Sequence, residues 1–396
     1  MATNPATGQA TSLWYCVQSA SGDLPANPTW KRFRFTSGAP TVTRDTLESA
    51  ELDGTAERTA IRLGSFSVNS ESAIELVHLQ HDDLLAACYQ STWTAGTTVA
   101  GLSATVDPVA KTVTRAAGSF ITDGVKVGDY ISFPGLTGYN HRPQFVTAVT
   151  ATAVTFGAAI AKNALAGIDG LVAESAVSTP LVIGRQLKVG VARKQIAILT
   201  VYNDLVVGTP KYDLALDCEC VASQLSVGVN ALVTGSFTFV GKYFAHDIAM
   251  PAGSTFTGDT AQRPYSGIEG GTMYNNAVVA HVSSMEMTLD RGAEAVFDLG
   301  SKFASHVSFT KAKNSITAST FLYDGNPYLD AFFGELEQSL SVAVTDDDIG
   351  MAFSYPKVTC TAAAPDVAEG DIAINATFEA VKDTTAQSSL VIWSIG

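Results

Sequence analysis

The segment Ser72–Trp93, SAIELVHLQHDDLLAACYQSTW, combines a strand with a short helix. Successive side chains of Ile74–Leu79 fall on alternate faces, which is the period of a β-strand. The period then changes. Asp82–Asp83 stand where a helix N-terminus favours negative charge, and the apolar residues of Leu84–Cys88 follow at helical spacing. The segment therefore predicts a strand, an acidic helix start and a short amphipathic helix.

The same order of elements recurs in Ser315–Phe333, SITASTFLYDGNPYLDAFF. Its strand is followed by a turn at Asp324-Gly325 and by Pro327 near a helix start. The apolar face of this helix consists of Leu329, Phe332 and Phe333. The sequences Gly228–Phe239 and Gly370–Phe378 also match. One strand–helix unit used twice predicts a duplicated module.

The composition indicates a folded, β-rich protein. The chain has 396 residues, of which 46% are hydrophobic and 16% are charged, with 33 glycines. That length suits two or three domains, and the low charge argues against disorder. The formal net charge is −14, so a basic phosphate-binding surface and classical nucleic-acid recognition are disfavoured.

The five cysteines and the chain start bear on the compartment. The N-terminal sequence MATNPATGQATS lacks the basic and apolar regions of a signal peptide. No apolar run approaches the length of a membrane span, so we expect no membrane partner. The sequence thus predicts reduced, mostly buried thiols in a protein made in a cytoplasm.

Composition shifts along the chain predict its domains. Residues 97–180 are rich in Ala, Thr and Val, carry no net charge, and contain turns at Asp123-Gly124 and Gly128-Asp129. We therefore expect a small β-domain that is inserted into a module and can be removed. The predicted division is an N-terminal arm (1–29), a first module (30–96 with 181–245), the inserted β-domain (97–180), a connector (246–280) and a second module (281–396).

Sequence patterns for chemistry are weak. His78, His81, Asp82, Asp83 and Cys88 could hold a metal, but the carboxylates are explained by the helix start. The sequence GSFTFVGKY has the wrong glycine spacing for a phosphate-binding loop and lies in a strand. The acidic run DDD at 346–348 lacks the alternating ligands of a calcium loop. We predict no catalytic, cofactor-binding or metal-binding residues and no enzyme activity.

A series of short segments carries a family resemblance. The segments are Gly22, Pro25, Pro28 and Trp30, the loop with Arg58, Ile74–Leu85, Leu187–Asp204, Val233–Lys242, Ser284–Gly300, Asp324–Phe333, Met351–Val358 and Asp371–Ala380. Their order resembles that of siphophage tail tube proteins, the subunits of long non-contractile phage tails. The segments Ser119–Gly135 and Phe145–Thr155 resemble a small β-insert found in some members.

The resemblance implies a mainly β fold of two tandem β-sandwich or barrel modules, each with a short flanking helix, plus the inserted β-domain. It implies homo-oligomeric rings that stack into a tube, with other tail proteins at the tube ends. It also implies that phage DNA passes through the lumen without specific binding, and we expect a lumen wall that is acidic. The location implied is the virion tail, after assembly in the host bacterial cytoplasm.

The family places six modules around the channel. Since this chain is predicted to contain two, the resemblance implies a ring of three chains with pseudo-sixfold symmetry. Two charged loops at matching positions are the candidates for contacts between successive rings, one within Thr41–Thr59 and one within Asp290–Lys302. The candidate residues are Arg44, Asp45, Glu48, Glu51, Asp53, Glu57, Arg58, Asp290 and Arg291.

Two other functions are alternatives. A carbohydrate-binding adhesin of a virion surface needs exposed aromatic platforms, for which the insert offers Tyr130, Phe133, Tyr139 and Phe145. A hydrolase on a β-scaffold needs a nucleophile with its base, and no such sequence pattern is visible. The structural subunit is the leading hypothesis.

Overall fold

The computed structural model describes residues 5–50, 60–157, 171–205, 209–279, 281–323, 325–367 and 371–396. The helices are α1 (Asp82–Cys88) and α2 (Pro327–Gly334), with 3-10 turns at Gly8–Ala10, Gly138–His141 and Gly267–Glu269. The strands are β1 (Thr11–Val17), β2 (Thr29–Phe33), β3 (Thr41–Glu48), β4 (Ile61–Glu75), β5 (Thr97–Asp107), β6 (Thr112–Arg115), β7 (Tyr130–Ser132), β8 (Gln144–Val149), β9 (Ala153–Phe156), β10 (Glu174–Ile183), β11 (Arg185–Lys188), β12 (Gln195–Tyr202), β13 (Lys211–Gly228), β14 (Thr234–Gly241), β15 (Tyr243–Ile248), β16 (Thr255–Thr257), β17 (Gly270–Tyr274), β18 (Ala277–Val278), β19 (Val282–Asp290), β20 (Glu294–Phe297), β21 (Ala304–Ser308), β22 (Lys313–Phe321), β23 (Glu337–Asp346), β24 (Ile349–Asp366), β25 (Ala373–Ala380) and β26 (Val391–Ile395).

Eight antiparallel strands form the main sheet, in the order β3–β4–β14–β13–β19–β22–β25–β24. Strands β13 and β24 are the longest, with 18 residues each. The first half of β13 pairs with β12, and the first half of β24 pairs with β23. Each long strand thus bends from the main sheet into a second layer, and the apolar core lies between the layers.

The main sheet contains the same strand order twice. We call β3, β4, α1 and β12–β14 the first repeat, and β19, β22, α2 and β23–β25 the second repeat. Cys220 pairs with Phe239 in the first repeat, and Cys360 pairs with Phe378 in the second. A bulge follows each cysteine, which fixes the two registers relative to each other. The predictions of a mainly β fold and of a short helix beside each set of strands are confirmed.

The two helices start differently. Helix α1 has no side-chain hydrogen bond at its N-cap residue His81, and two aspartates occupy its first turn. Helix α2 is capped by Asn326, whose side-chain oxygen accepts a hydrogen bond from Tyr328 N, and Pro327 begins it. Both helices pack on the main core: the residues Leu84–Cys88 are buried in α1, whereas Tyr328 and Ala331 are buried in α2.

A closed barrel of strands β5–β10 stands between α1 and β11. Its core continues into the second layer of the second repeat, where Ala352, Trp393 and Ile395 are buried with barrel residues. The Tyr130 hydroxyl lies so close to Gly350 that a β-carbon there would come within 2.8 Å of it. The barrel therefore shares its core with another part of the chain, which argues against simple removal.

Two predicted segments are more integrated than expected. Within the predicted N-terminal arm, β1 pairs with β12 and β2, and its Leu13 and Tyr15 are fully buried. Within the predicted connector, β17 pairs with β23, and β16 pairs with β2. Strands of the neighbouring segments pair with both, so the backbone of each is integrated into the sheet. The division into domains stays a prediction.

The expectation that the thiols are reduced is wrong for two cysteines. Cys88 of α1 and Cys220 of β13 form a disulfide, while Cys16, Cys218 and Cys360 are free and buried. The sequence could not show the pair, because the two residues are 132 positions apart.

Candidate assembly surfaces

The main sheet has one polar face, opposite the core. Its exposed and half-exposed positions are mostly serine and threonine, as in the row Ser236–Gln224–Thr288–Ser315 across four strands. The polar face carries the acids Glu71, Glu75, Glu286, Asp290 and Glu379, together with Lys313. Lys313 Nζ lies 2.8 Å from Glu379 Oε1, so its charge is paired. The polar face is therefore hydrophilic and net acidic.

The two repeats are joined edge to edge. Strand β13 pairs with β19 from Ala222, opposite Asp290, to Gly228, opposite Ser284. Arg291, directly after β19, lies 4% exposed beneath the end of α1. Its Nε donates to the Cys88 carbonyl at 2.8 Å, and its Nη1 donates to Gln90 Oε1 at 3.2 Å. A strand ladder and one buried arginine thus hold the first repeat to the second.

The outer edges of the main sheet have no such neighbour. Among the described residues, no strand pairs with the outer edge of Thr41–Arg44 in β3 or with the outer edge of Thr361–Asp366 in β24. These segments are mostly exposed. Edges of this kind promote pairing with another chain unless they are covered.

The ladder registers show which positions of the two repeats correspond. Val42 pairs with Val68, which in turn pairs with Gly241, two residues after Phe239. In the second repeat the same path runs from Leu289 through Asn314 to Ala380, two residues after Phe378. The equivalent pairs are Val42 and Leu289, Arg44 and Arg291, Cys220 and Cys360, and Ala222 and Ala362.

Five of the predicted inter-ring residues lie in the part of the chain that the structure describes. Arg44, Asp45 and Glu48 lie on β3, while Asp290 ends β19 and Arg291 directly follows it. Arg44 stacks on Phe66 at 4.4 Å, whereas Arg291 is bound within the chain. Glu51, Asp53, Glu57 and Arg58 lie outside the described residues. Contacts between rings stay a prediction for all of these residues. Sequence reasoning missed the role of Arg291, because only the ladder shows that it faces α1.

The histidines named as metal candidates have other partners. His78 Nδ1 lies 2.9 Å from the Tyr265 hydroxyl, and the two ring nitrogens of His81 lie near Val77 N and the Arg34 carbonyl. Burial lowers the pKa of each histidine to about 4, so both are neutral at pH 7. Among the described residues, no group of three or more His, Cys, Asp or Glu side chains is placed to hold a metal.

The aromatic residues weighed for an adhesin do not form a platform. Tyr130, Phe133 and Phe145 lie in the barrel core. The Arg142 guanidinium covers the ring of Tyr139, with Cζ of Arg142 4.3 Å from the centre of that ring. Within the part of the chain that the structure describes, no helix has the length and apolar character needed to cross a membrane.

Comparison with protein families gives a match over residues 8–380 to the family described as phage tail tube protein. The chain belongs to the phage tail tube protein family. The match covers both repeats, the barrel and the connecting strands, so the resemblance seen in the sequence is confirmed. It makes this tail tube protein a structural component of a phage tail. Comparison with curated protein sequences gives no significant match.

Proposed function

We propose that this tail tube protein is the major tube subunit of a siphophage tail and polymerises into stacked rings around a DNA channel. The observation that carries the proposal is the ladder between β13 and β19. It joins two repeats of one chain side by side, in the head-to-tail sense that closes into a ring when the rotation per repeat divides the circle.

Continuing that ladder from chain to chain gives a defined register. Since Ser223 pairs with Leu289 inside the chain, the equivalent Ala363 of one copy faces Val42 of the next. Ala362 then faces Thr43, and Ala364 faces Thr41. Pro365 falls opposite Pro40, where neither residue can donate a backbone hydrogen bond, so the ladder ends there.

A ring of three chains follows from two repeats per chain and six modules per ring, the number that the family resemblance implies. The intramolecular joint forms at the high effective concentration set by the connecting segment. The joint between chains is the concentration-dependent step, and it completes the circle.

The polar face suits the wall of a DNA channel. An acidic wall repels phosphates, whereas a basic one would retain DNA through counterion release. With Glu71, Glu75 and Glu286 on this face, DNA would pass without specific binding. The β3–β4 hairpin, with Leu47 and Ile61 both more than half exposed, is the candidate contact to the next ring. Other tail proteins bind the tube ends, and assembly takes place in the host bacterial cytoplasm, without catalysis.

Disulfide trapping tests the joint between chains. The pair Val42→Cys and Ala363→Cys should give covalent oligomers on mild oxidation, and the largest should contain three chains by mass. The matched control Val42→Cys with Ala364→Cys moves one thiol to the opposite face of the strand, so it should not cross-link. Absence of cross-links in assembled tubes would refute the joint, and six chains per ring would refute the trimer.

A further inference from the structure

The end of helix α2 is exposed where the end of α1 is buried. Cys88 in α1 is 0% exposed, whereas Phe333 in α2 is 80% exposed and Leu336, just beyond the helix, is 44% exposed. Part of the difference is local, because Gly190 N and Ala192 N donate to the Tyr89 and Gln90 carbonyls at 2.8 Å and Cys88 is bonded to Cys220. The remaining cover over the end of α1 is Arg291 of the neighbouring repeat, which binds the Cys88 carbonyl.

The two helix ends have the same backbone conformation. Gln90 and Glu335 both adopt the left-handed conformation, with φ of 48° and 50°. The residue after each donates its backbone N–H to the carbonyl five positions earlier, at 3.0 Å in the first repeat and 3.1 Å in the second. Glu335 is thus the equivalent of Gln90, whose side chain accepts from Arg291. The carbonyl equivalent to that of Cys88 belongs to Phe333.

The equivalent of Arg291 is Arg44, as the ladder registers show. Inside one chain Arg44 cannot play the same part for α2, because β3 and β24 lie at opposite edges of the main sheet. In the isolated chain it is half-buried on Phe66; its Nη2 donates to the Gly64 carbonyl at 3.4 Å, and its Nε has no hydrogen-bond partner. The chain therefore carries a cation at one edge and its matching acceptors at the other.

A second contact points to the same neighbour. Arg193, two residues before β12, stacks on Phe309 and donates to the Val307 carbonyl at 2.9 Å. The residues equivalent to Val307 and Phe309 are Ile61 and Leu63, which are each 57% exposed. Glu335 also lies two residues before β23, at the ladder position of Arg193, because α2 leads almost directly into β23 whereas the barrel separates Gln90 from Arg193. If the joint between chains copies the β13–β19 joint within the chain, it brings together the two exposed apolar pairs, Ile61–Leu63 of one copy and Phe333–Leu336 of the other.

We propose that the end of α2 is a docking site for a second copy of this chain. Arg44 of that copy binds the Phe333 carbonyl and the Glu335 carboxylate, while its Ile61 and Leu63 cover Phe333 and Leu336. This proposal rests on the edge-to-edge joint proposed above and adds a specific ion pair to it. Within the chain, Arg291 binds the neutral side chain of Gln90. The proposed ion pair of Arg44 with Glu335 therefore occurs only in the joint between chains.

Charge exchange tests the ion pair. Glu335→Arg and Arg44→Glu should each raise the concentration needed for assembly at least about tenfold, and the double variant should restore it. Glu335→Gln copies the Gln90 partner of Arg291, so it should assemble, with a weaker dependence on salt than the unaltered chain. Sedimentation gives the assembly midpoint, and electron microscopy shows the rings.

The outcomes separate the two proposals. If Val42→Cys and Ala363→Cys cross-link but Glu335→Arg assembles normally, the ion pair is refuted and the edge joint stands. If neither cross-links nor rings form in the unaltered background, the edge joint is refuted. Loss of assembly that the double variant does not restore also refutes the ion pair. Thermal melting of the unassembled variants shows whether they fold. If Glu335→Arg does not fold, Glu335→Gln provides the test. The proposal is overturned if the assembly of Glu335→Gln depends on salt as strongly as that of the unaltered chain.

Discussion

The first and second repeats share a strand order but differ in what surrounds them. In the first repeat, the edge of β13 is paired and the end of α1 is covered. In the second repeat, the equivalent edge of β24 and the end of α2 are open. The β13–β19 joint within the chain explains why the edge of β13 is paired and contributes to the burial of the end of α1. The unequal burial of the same local structure supports the proposal that a second copy binds at the open edge of the second repeat.

The repeats also differ in what lies between helix and following strand. In the second repeat, α2 is separated from β23 by Glu335 and Leu336 alone. In the first repeat, the whole barrel stands between α1 and β12. The barrel then covers Trp393 and Ile395 near the second repeat, so an addition to one repeat has become part of the core of the other.

Removing the barrel should have the largest effect. A deletion of residues 97–183 with a short Gly/Ser bridge exposes Trp393, Ile395 and Ala352, each of which is at most 4% exposed now. Loss of about 1.5–3 kcal/mol for each large apolar side chain should lower the melting temperature by about 10 °C or more, or make the chain insoluble. Scanning calorimetry of the purified variant measures this.

A redesigned deletion serves as the control. Adding Trp393→Gln and Ile395→Thr makes the newly exposed surface polar, so this variant should be more soluble than the plain deletion. If the plain deletion melts like the unaltered chain, the barrel is independent of the second repeat, as its composition suggested.

Reducing the disulfide should have an intermediate effect that is confined to the first repeat. Cys88–Cys220 ties α1 to β13 across 132 positions, and a cross-link of this kind contributes about 2–4 kcal/mol. Cys360, at the position equivalent to Cys220, is a buried free thiol. Denaturant unfolding with and without reductant, and of Cys88→Ala, should show this loss.

The matched control is Cys360→Ala, which should cost less than Cys88→Ala and leave the response to reductant unchanged. Unfolding curves that do not respond to reductant would show that the bond is absent or without effect on stability. The proposed assembly in the host cytoplasm, where disulfides are rare, predicts that the bond forms late, after exposure to an oxidising medium.

The sequence predicted the features that depend on local patterns. The helical spacing after Asp82 located α1, and Pro327 located α2. The alternation in Ile74–Leu79 was wrong beyond Glu75, where β4 ends and the chain turns towards α1. The β fold followed from composition, and the family from the order of weak segments. These signals depend on residues close together in the chain.

Features that depend on distant pairs were out of reach. The register that makes Arg44 equivalent to Arg291 requires the strand pairing, which no local pattern encodes. The contact between Tyr130 and Gly350 joins residues more than two hundred positions apart, so the insert looked separable. The role proposed for Glu335 could have been suspected from its position two residues after Phe333, which ends the apolar face of α2, but its proposed partner could not.

Acid sensitivity at the start of α1 should be the smallest of these differences between the repeats. The N-cap of α1 is His81, 1% exposed, whereas the N-cap of α2 is Asn326, which does not titrate. Burial lowers the pKa of His81 to about 4, against 6.5 in the unfolded chain. The unfolded chain therefore binds the extra proton first, so this contribution to stability is complete above pH 6.5 and is lost as the pH falls towards 4.

Replacing His81 by glutamine should remove that pH dependence. Between pH 6.5 and pH 4, the free energy of unfolding of His81→Gln should fall by up to about 3 kcal/mol less than that of the unaltered chain. The comparison must be between variants, because Asp129, whose pKa burial raises to about 6, contributes with the opposite sign in the same range. His78→Gln should act like His81→Gln, since burial lowers the pKa of His78 to the same value. Parallel pH profiles for His81→Gln and the unaltered chain would show that His81 is protonated equally in both states, and that the two helix starts do not differ in this respect.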